Sequence, residues 1–321
     1  MDESGVCGEL LERQSVVIAR RQALTLGLRP DVVDGLLRTG RWQPMDHGVY
    51  ATFTGQPGRA AWLWAIVLRA GPGAVLSHRT AAALYGLTAD PGAPVHVIVP
   101  RDRQPRPIPG VIIHRLDRAA TTCHPVLLPP RTRVEETVLD LTQTAATFDD
   151  VCGWVTRAFA RDLTDETRLS AAITQRTKLR WRADLHELIV AAASGDHSVL
   201  EFRYERDVER AHGLPPPSRQ VPFAGPGSRR GRRDRVYEEY AVVVELDGQL
   251  AHPEENRWQD KARDNAAAVG GKQTLRYGWT DVRHQPCATA AQVATVLRVH
   301  GWQGVPRPCS YGCPVPRMVN E

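Results

Sequence analysis

The sequence predicts a mixed α/β (α+β) fold in three parts, and three observations support this prediction. Residues 8–40 carry apolar residues at helical spacing and precede a short alternating stretch. Two strand-like runs, PVHVIVP and GVIIHRL, lie between helical segments in the middle of the chain. The last third follows the order helix, three strands, helix, strand (αβββαβ), with a final helix. We therefore expect domains at residues 1–57, 58–194 and 195–321.

The length, composition and charge of the chain indicate a globular protein without membrane or secretion signals. The chain has 321 residues, 42% of them apolar, and a formal net charge of +5. This is enough to bury a core in each half, and the charge mildly favours an anionic partner. No apolar run is long enough for a membrane span, no signal peptide is evident, and the six cysteines are scattered. We expect a cytoplasmic protein with no membrane partner.

The first part of the chain predicts helices followed by a β-hairpin. Pro30 suits the start of a helix and Gly40 its end, and RWQPMDHGVYATF then alternates around a His47–Gly48 turn. This is the order of a winged helix-turn-helix, in which side chains beside the second helix reach phosphates or base edges. A small helical packing module is the alternative. The candidate DNA-binding residues are Arg29, Arg38 and Arg41.

A strand with carboxylates at its end marks the candidate catalytic region. The run YAVVVELDGQLAH is apolar enough to be buried, yet it contains Glu245 and Asp247, and His252 follows a glycine turn. Side chains alternate along a strand, so these two carboxylates point to the same side. Burying an unpaired charge is costly. The pattern therefore indicates a charged partner or a bound cation.

Two further acids are expected to join this strand end. A hairpin turn in the EEY segment brings Asp234 opposite Glu245, and Glu201 lies on the preceding helix. Converging carboxylates repel one another unless a positive charge compensates. A hard divalent cation, Mg²⁺ or Mn²⁺, does this with one or two carboxylates, water and phosphate oxygens. The sequence predicts such a cation among Asp234, Glu245 and Asp247, which suits phosphodiester hydrolysis.

The order of motifs in the last third resembles a nuclease family. RRDRVYEEYAVVVELDGQLAH, DKARDN and TLRYGWTDV follow one another within residues 198–283. Together with a preceding helix Glu, they resemble the DUF559 group of very-short-patch-repair (Vsr)-like endonucleases in the PD-(D/E)XK superfamily. Those proteins show a strand Asp, an ELDG…H strand, an RD helix and an LR…W.DV strand. The resemblance implies a restriction-endonuclease-like domain that cleaves DNA.

The resemblance also implies a role for each acid. Asp234 and Glu245 would bind the metal, and Glu201 would be the helix acid that assists the attacking water. His252 would be the candidate acid/base. Asp247 occupies the position where the superfamily usually has lysine, and a carboxylate cannot replace a cation. This departure puts catalysis in doubt more than metal binding.

Structural roles for the same residues stay open. Glu201 follows Ser198 by three positions, so SVLE also matches a capping box at a helix start. The two strand-end carboxylates would alternatively form ion pairs with Arg263 or Arg276. Lys261, in the next predicted helix, is a candidate substitute for the absent lysine.

The first half resembles a second family. RQALTLGLRPDVVDGLLRTGRWQPMDHGVYATF and the segments AVLSHRTAAALYGL, PVHVIVP, GVIIHRL and RVEETVLDL span roughly residues 5–145. They resemble AbiEi-type antitoxins of type IV toxin–antitoxin systems, which join a winged helix that represses its own operon to a mixed α/β domain. The resemblance implies DNA binding by the first part and a cognate toxin as a partner.

Arginines cluster beside Asp234 in the segment SRRGRRDR. A guanidinium fork suits phosphate oxygens, so these side chains fit a DNA backbone near the metal. A solvated hairpin loop is the alternative. The candidate DNA-binding residues here are Arg229, Arg230, Arg232 and Arg233.

Two cysteines near the end of the chain raise a separate question. Cys309 and Cys313 are four residues apart, but two cysteines do not make a zinc site. Cys287 would have to join them, with His284 or His300 as the fourth ligand.

The sequence therefore predicts a DNA-binding protein with a Vsr-like, metal-dependent endonuclease domain. The alternative is a non-catalytic, AbiEi-like repressor with a degenerate nuclease domain, which the absent lysine favours. A nuclease-fold interaction module without a DNA role is a third possibility. The sequence specifies neither an oligomeric state nor the DNA that is recognised.

Overall fold

In the computed structural model, the described residues are 3–224, 230–247 and 271–319. The chain divides into two compact units, Met1–Arg180 and Trp181–Glu321. Both units mix helices with small sheets, so the fold is of the mixed α/β type that the sequence predicts. No helix in the described ranges combines the length and the apolar content that crossing a bilayer requires.

The described part of the first unit contains nine helices and six strands. In chain order they are α1 (Glu3–Arg13), β1 (Val17–Ala19), α2 (Arg20–Thr25), α3 (Pro30–Arg38), β2 (Gln43–Asp46), β3 (Val49–Ala51), α4 (Arg59–Ala70), β4 (Val75–Leu76), α5 (His78–Leu84), β5 (Val95–Pro100), β6 (Val111–Leu116), α6 (Ala119–Thr122), α7 (Val134–Thr144), α8 (Phe148–Ala160) and α9 (Glu166–Thr174).

The first segment of the chain forms a three-stranded antiparallel sheet in the order β1-β3-β2. The sequence pattern predicts helices throughout the stretch that contains Val17 to Ala19, and this is wrong for these three residues. They form a strand that is completely buried and pairs with β3. The β-branched Val17 and Ile18 pack well on a pleated surface, and this outweighs the helical spacing around them. Pro30 begins α3 as predicted.

A second sheet, β4-β5-β6, pairs β5 with β6 in parallel. Its inner face shares one hydrophobic core with β1, β3 and α4, so the N-terminal 57 residues and the following segment pack together. On α4, Trp64 is buried but Trp62 is 43% exposed. Residues two apart on a helix point in nearly opposite directions, so only one of the two can face the core.

The described part of the second unit has five helices and four strands. They are α10 (Arg182–Ala193), α11 (Asp196–Arg203), a π-helical segment (Tyr204–Arg210), β7 (Ser218–Ala224), β8 (Arg230–Tyr237), a 3₁₀ turn (Glu238–Tyr240), β9 (Val242–Asp247), β10 (Gln273–Gly278), α12 (Trp279–His284), α13 (Pro286–Val299) and α14 (Val315–Met318).

The division between the units falls between Arg180 and Trp181, rather than at the expected 194/195. Helix α10 packs closely against α11, so it belongs with the second unit. Trp181 precedes α10 with a left-handed backbone (φ 56°), which marks the change in chain direction at this point.

The four strands of the second unit form one sheet in the order β10-β9-β8-β7. β7, β8 and β9 are antiparallel neighbours, and β10 runs parallel to β9. One face packs on α13 and the π-helical segment, around Val244, Tyr204 and Val293. The first helix of the predicted αβββαβ order continues through the π-helical segment and ends before Gly213.

Candidate functional site: carboxylates on neighbouring strands of the second unit

Asp234 and Glu245 lie on adjacent antiparallel strands. The register of β8 and β9 pairs Arg235 with Val244, Val236 with Val243 and Tyr237 with Val242. One step further along the same register, Asp234 stands opposite Glu245. Directly opposed side chains on one face of an antiparallel pair have Cβ atoms about 4.5–5.5 Å apart. The hairpin therefore brings these two carboxylates together.

The alternation of β9 sets which side chains face the core. Val242, Val244 and Leu246 belong to the hydrophobic core of the second unit. Glu245 and Asp247 alternate with them, so they point away from that core and are half-buried. The strand is both apolar and acidic because one of its faces packs on the hydrophobic core and the other carries the half-buried carboxylates.

The carboxylate of Asp234 is held by the backbone of the next strand. Its Oδ2 accepts a hydrogen bond from the backbone N–H of Leu246 at 2.7 Å, and the residue is 8% exposed. This bond connects β8 and β9 where their backbone pairing has ended at Arg235 and Val244. The Asp234 side chain is thus fixed in direction by a buried donor.

Burial, and after it the negative charge of Asp234, raise the pKa of Glu245 to about 7. Arg276, the backbone amide of Asp234 and Arg233 act against this shift, but they do not cancel it. Glu245 has no Lys or Arg within ion-pair distance among the described residues. Two close carboxylates that cannot both ionise easily are the electrostatic situation that a divalent cation relieves.

Glu201 is tied to this region by two side chains. Gln220 on β7 donates to Glu201 Oε1 at 2.7 Å, and the buried Arg235 donates to Glu201 Oε2 at 3.3 Å. The capping-box role for Glu201 is wrong, because α11 begins at Asp196 with Gly195 before it, and Ser198 lies inside the helix. Glu201 instead faces β7 and β8.

Gln220 is the residue that sequence reasoning missed. It lies between the paired positions Arg219–Arg235 and Val221–Arg233 of β7 and β8, and its amide also lies 3.4 Å from Asp234 Oδ1. Its backbone is left-handed, with φ 48°, which is uncommon for a residue other than glycine. Such strained positions cluster at functional sites. A single glutamine inside SRQVPF gives no pattern from which this role could be read.

Asp247 has a cationic neighbour on the parallel strand. Arg276 Nη1 lies 3.7 Å from Asp247 Oδ2, and both side chains are partly exposed. This is one of the two ion pairs that the sequence leaves open; Arg263 lies outside the described residues, as do His252 and Lys261. Asp247 and Arg276 line a cleft of about 250 Å³ at the ends of β9 and β10, together with Tyr277, Trp279 and Asp281.

Glu201 faces a different space. It lines a larger cleft of about 620 Å³ between α10, α11 and β7, together with Glu187, Arg210, Arg219 and Arg235. In the described ranges, two groups of at least three metal-ligating side chains come within 4.8 Å of one another, and the carboxylates are not one of them. Asp234 and Glu245 therefore form a two-carboxylate pair, with Asp247 and Glu201 beside it.

The arginines of the first unit named by the sequence are all on the surface. Arg29, Arg38 and Arg41 are exposed around α3, and Arg29 forms an ion pair with Asp31 at 2.5 Å. Arg20 on α2, which was not predicted, pairs with Asp34 on α3 at 2.6 Å. Basic side chains therefore flank α3 at both ends.

The predicted DNA-binding arginines of the second unit differ in their surroundings. Arg232 is exposed, while the guanidinium of Arg233 lies 5.0 Å from the ring centroid of Phe223. Arg230 begins β8, and Arg229 lies outside the described residues. The described part of this basic segment therefore leads along β8 to Asp234.

Three histidines of the first unit, on α5, β5 and β6, stack on one another. The rings of His78 and His114 lie 4.0 Å apart, and His96 Nδ1 is 3.1 Å from His114 Nε2. Burial lowers the pKa of all three, that of His78 to about 3. They are thus a neutral, packed group.

Comparison with known proteins places two relatives beside this chain. No family model matches it. It is similar to the uncharacterized proteins MT2308 and Rv2248 of Mycobacterium tuberculosis (strains CDC 1551 / Oshkosh and ATCC 25618 / H37Rv). Each is 28% identical over 266 residues, which is 78% of this chain and 90% of the relative. Among solved structures, the crystal structure of the Rv2827c protein from Mycobacterium tuberculosis matches with a TM-score of 0.40 and 18% identity, over 62% of this chain and 79% of that one.

Proposed function

We propose that the second unit is a metal-dependent DNA endonuclease domain and that the first unit binds DNA. One observation carries the proposal: Asp234 and Glu245 oppose each other on adjacent strands. The pKa of Glu245, raised to about 7, agrees with it. The αβββ…β order of the second unit and its mixed four-stranded sheet agree with the architecture that the DUF559 and Vsr-like resemblance implies.

The donor set fits a hard divalent cation, Mg²⁺ or Mn²⁺. Mg²⁺ is commonly held by one or two carboxylates, with water and substrate phosphate completing the shell. Asp234 and Glu245 would hold it, and Asp247 lies two residues further along the same strand face. When bound, the cation supplies positive charge that stabilises the charge developing on the phosphodiester.

The chain's own residues would orient the substrate and the attacking water. Glu201 and Gln220 form a hydrogen-bonded pair beside Asp234, so they are suited to positioning a water molecule. Arg276 on β10 provides a cationic group beside Asp247, where the superfamily pattern has lysine on β9. Arg232 is exposed on β8 and suits a DNA phosphate.

The first unit supports a DNA-binding role by its order of elements. α1, β1, α2, α3, β2 and β3 follow one another as in a winged helix, with β2 and β3 as the hairpin. We infer that α3 is the recognition helix, because Arg29, Arg38 and Arg41 are exposed at its two ends. A cognate toxin remains a proposed partner on the AbiEi resemblance alone.

Nicking of supercoiled plasmid tests the nuclease proposal. Purified protein with Mg²⁺ or Mn²⁺ is expected to convert supercoiled DNA to nicked or linear forms. Asp234→Asn and Glu245→Gln keep size and remove charge, so both are expected to abolish cleavage. Glu238→Gln is the matched control, since Glu238 is an exposed carboxylate in the turn between the same two strands. Cleavage that persists in both site variants would contradict the proposal.

A second candidate function is a DNA-binding regulator without catalysis. It is favoured by the pairing of Asp247 with Arg276 and of Glu201 with Arg235, which neutralises two of the four acids. Sequence-specific shifts of its own promoter, without cleavage in any divalent cation, would support this candidate. Arg38→Gln and Arg41→Gln would then weaken binding, and each lost phosphate contact would reduce the salt-dependence slope by about 0.9.

A further inference from the structure

Three cysteines and one histidine of the second unit meet in a cluster that takes no part in the proposed nuclease site. Its members are His212, Cys287, Cys309 and Cys313, which we term the Cys₃His cluster; their ligand atoms all lie within 4.8 Å of one another. His212 ends the helix that follows the π-helical segment, and Cys287 lies in the first turn of α13. Two elements far apart in sequence and the C-terminal tail thus converge on one point.

The sulfur–sulfur distances from Cys287 match the edges of a metal tetrahedron. Cys287 Sγ lies 3.6 Å from Cys309 Sγ and 3.8 Å from Cys313 Sγ. Zinc binds thiolate sulfur at about 2.3 Å and imidazole nitrogen at about 2.0–2.1 Å, so tetrahedral geometry separates the ligand atoms by about 3.6–3.8 Å. The two sulfur–sulfur separations from Cys287 already have these values, and all four ligand atoms lie within 4.8 Å of one another.

A disulfide does not account for the arrangement. The sulfurs of a disulfide are about 2.05 Å apart, and a disulfide joins two cysteines only. Here three sulfurs and an imidazole nitrogen lie within 4.8 Å of one another, so pairing any two sulfurs would leave a thiol and an imidazole beside the bond. Three thiolates and one imidazole are instead the donor set of structural zinc sites.

The histidine of the cluster has the surroundings of a metal ligand. His212 is completely buried, and its Nδ1 lies 3.1 Å from the carbonyl oxygen of Arg307. Its Nε2 is buried without a hydrogen-bond partner among the described residues. Metal-ligating histidines commonly use one nitrogen for the ion and the other for a backbone carbonyl. The tail is fixed at the same place, because Arg307 N donates to His212 O at 2.9 Å.

We propose that the Cys₃His cluster is a structural zinc site that fastens the C-terminal tail to the helix carrying Glu201 and to α13. Four protein ligands fill a tetrahedral shell, so the site leaves no open position for a substrate. The tail needs such a fastening, since residues 301–314 contain no helix or strand and are mostly exposed. The carboxylate site, with hard oxygen donors, and the Cys₃His cluster, with soft sulfur donors, would select different metals.

Metal analysis of the full-length protein tests this proposal. Protein purified without added metal or chelator is expected to contain about one zinc per chain. Cys309→Ser and Cys313→Ser are each expected to reduce zinc several-fold. Cys123→Ser is the matched control, because Cys123 is a half-buried free thiol in the first unit, and it should keep the wild-type zinc content.

Two measurements on the wild type keep the test valid if a cysteine variant does not fold. Replacing the metal with Co²⁺ should give the visible absorption of tetrahedral cobalt with thiolate ligands, and a mercurial reagent should release one zinc as it titrates the thiols. A metal-free, folded protein whose mass shows a disulfide among these cysteines would overturn the proposal. So would an iron–sulfur absorption spectrum in place of zinc.

Discussion

Gln220 donates a hydrogen bond from its side-chain amide to Glu201 Oε1 at 2.7 Å while its backbone is left-handed, with φ 48°. The same amide lies 3.4 Å from Asp234 Oδ1. One donor therefore stands between two carboxylates. Without this amide, Glu201 and Asp234 would face each other with no hydrogen bond from Gln220 to either.

Gln220→Glu is expected to lower the free energy of unfolding of the second unit by about 1–3 kcal/mol near neutral pH without divalent cations. The change keeps the side-chain size but replaces the donor with a third carboxylate. Urea unfolding measures the loss. Gln303→Glu, on an exposed glutamine, is the control and should change stability by no more than about 0.5 kcal/mol. Equal effects of the two substitutions would refute the assigned role of Gln220.

Arg276→Gln is expected to shift cation binding to higher pH. Arg276 lowers the pKa of Glu245, so removing its charge should raise that pKa above about 7. The pH of half-maximal Mn²⁺ binding, followed by the Mn²⁺ electron spin resonance signal, should move upward. Arg283→Gln, on an exposed arginine of α12, should leave the curve in place. A downward shift for Arg276→Gln would contradict the electrostatic account.

The stability of the first unit is expected to fall as the pH drops below about 6.5, because three histidines are packed in neutral form. Burial and its histidine neighbours lower the pKa of His78 from 6.5 to about 3. The unfolded chain therefore binds protons in this window that the folded chain does not, so the stabilisation is complete above about pH 6.5 and is lost as the pH falls towards 3. Each pH unit would cost at most about 1.4 kcal/mol for His78.

Urea unfolding of His78→Asn at several pH values checks this. Asparagine tolerates the left-handed backbone of residue 78 and does not titrate. The variant should lose part of the wild-type dependence on pH between about 6.5 and 4. An unchanged pH profile would show that His78 is not responsible.

A buried ion-pair network in the first unit predicts a large cost for one arginine. Arg176 Nη2 contacts Glu136 Oε2 at 2.5 Å and Asp140 Oδ1 at 2.7 Å, and all three side chains are buried or nearly so. Burial raises the pKa of Asp140 to about 6 even beside Arg176. Arg176→Met leaves both acids without this partner and should destabilise the protein by about 3–5 kcal/mol.

The surface pair Arg101–Asp117 provides the contrast for this prediction. Both of its side chains are more than two-thirds exposed, at 71% and 72%. Arg101→Met should therefore cost no more than about 1 kcal/mol. Thermal unfolding of the two variants side by side measures the difference, and similar losses would mean that the Arg176 network is compensated by water.

The sequence predicts the strands of the second unit well, because each pattern there is local. Alternating apolar residues give β9, and the register of the β8–β9 hairpin follows from its short turn. The opposition of Asp234 and Glu245 needs only these two strands. The placement of Glu201 beside these strands is also predictable, since it lies on the helix that precedes and packs against them.

Contacts between distant segments are where sequence reasoning failed. The sequence offers His284 or His300 as a partner for the cysteines, but His284 is exposed and His300 bonds to Gln273. The histidine that joins them is His212, 101 residues before Cys313. No spacing rule connects residues so far apart, because their meeting depends on how α13 and the tail pack on the helix.

The π-helical segment Tyr204–Arg210 separates Glu201 from His212 on one continuous helix. Each residue of an α-helix turns the chain by about 100°. Adding or removing a single residue in this segment would therefore rotate one end against the other, so that either the acid would leave the sheet or the imidazole would leave the cysteines. The two proposed sites, with unrelated chemistry, would thus share one mechanical constraint, and the length of this wide turn could not vary without a cost to one of them.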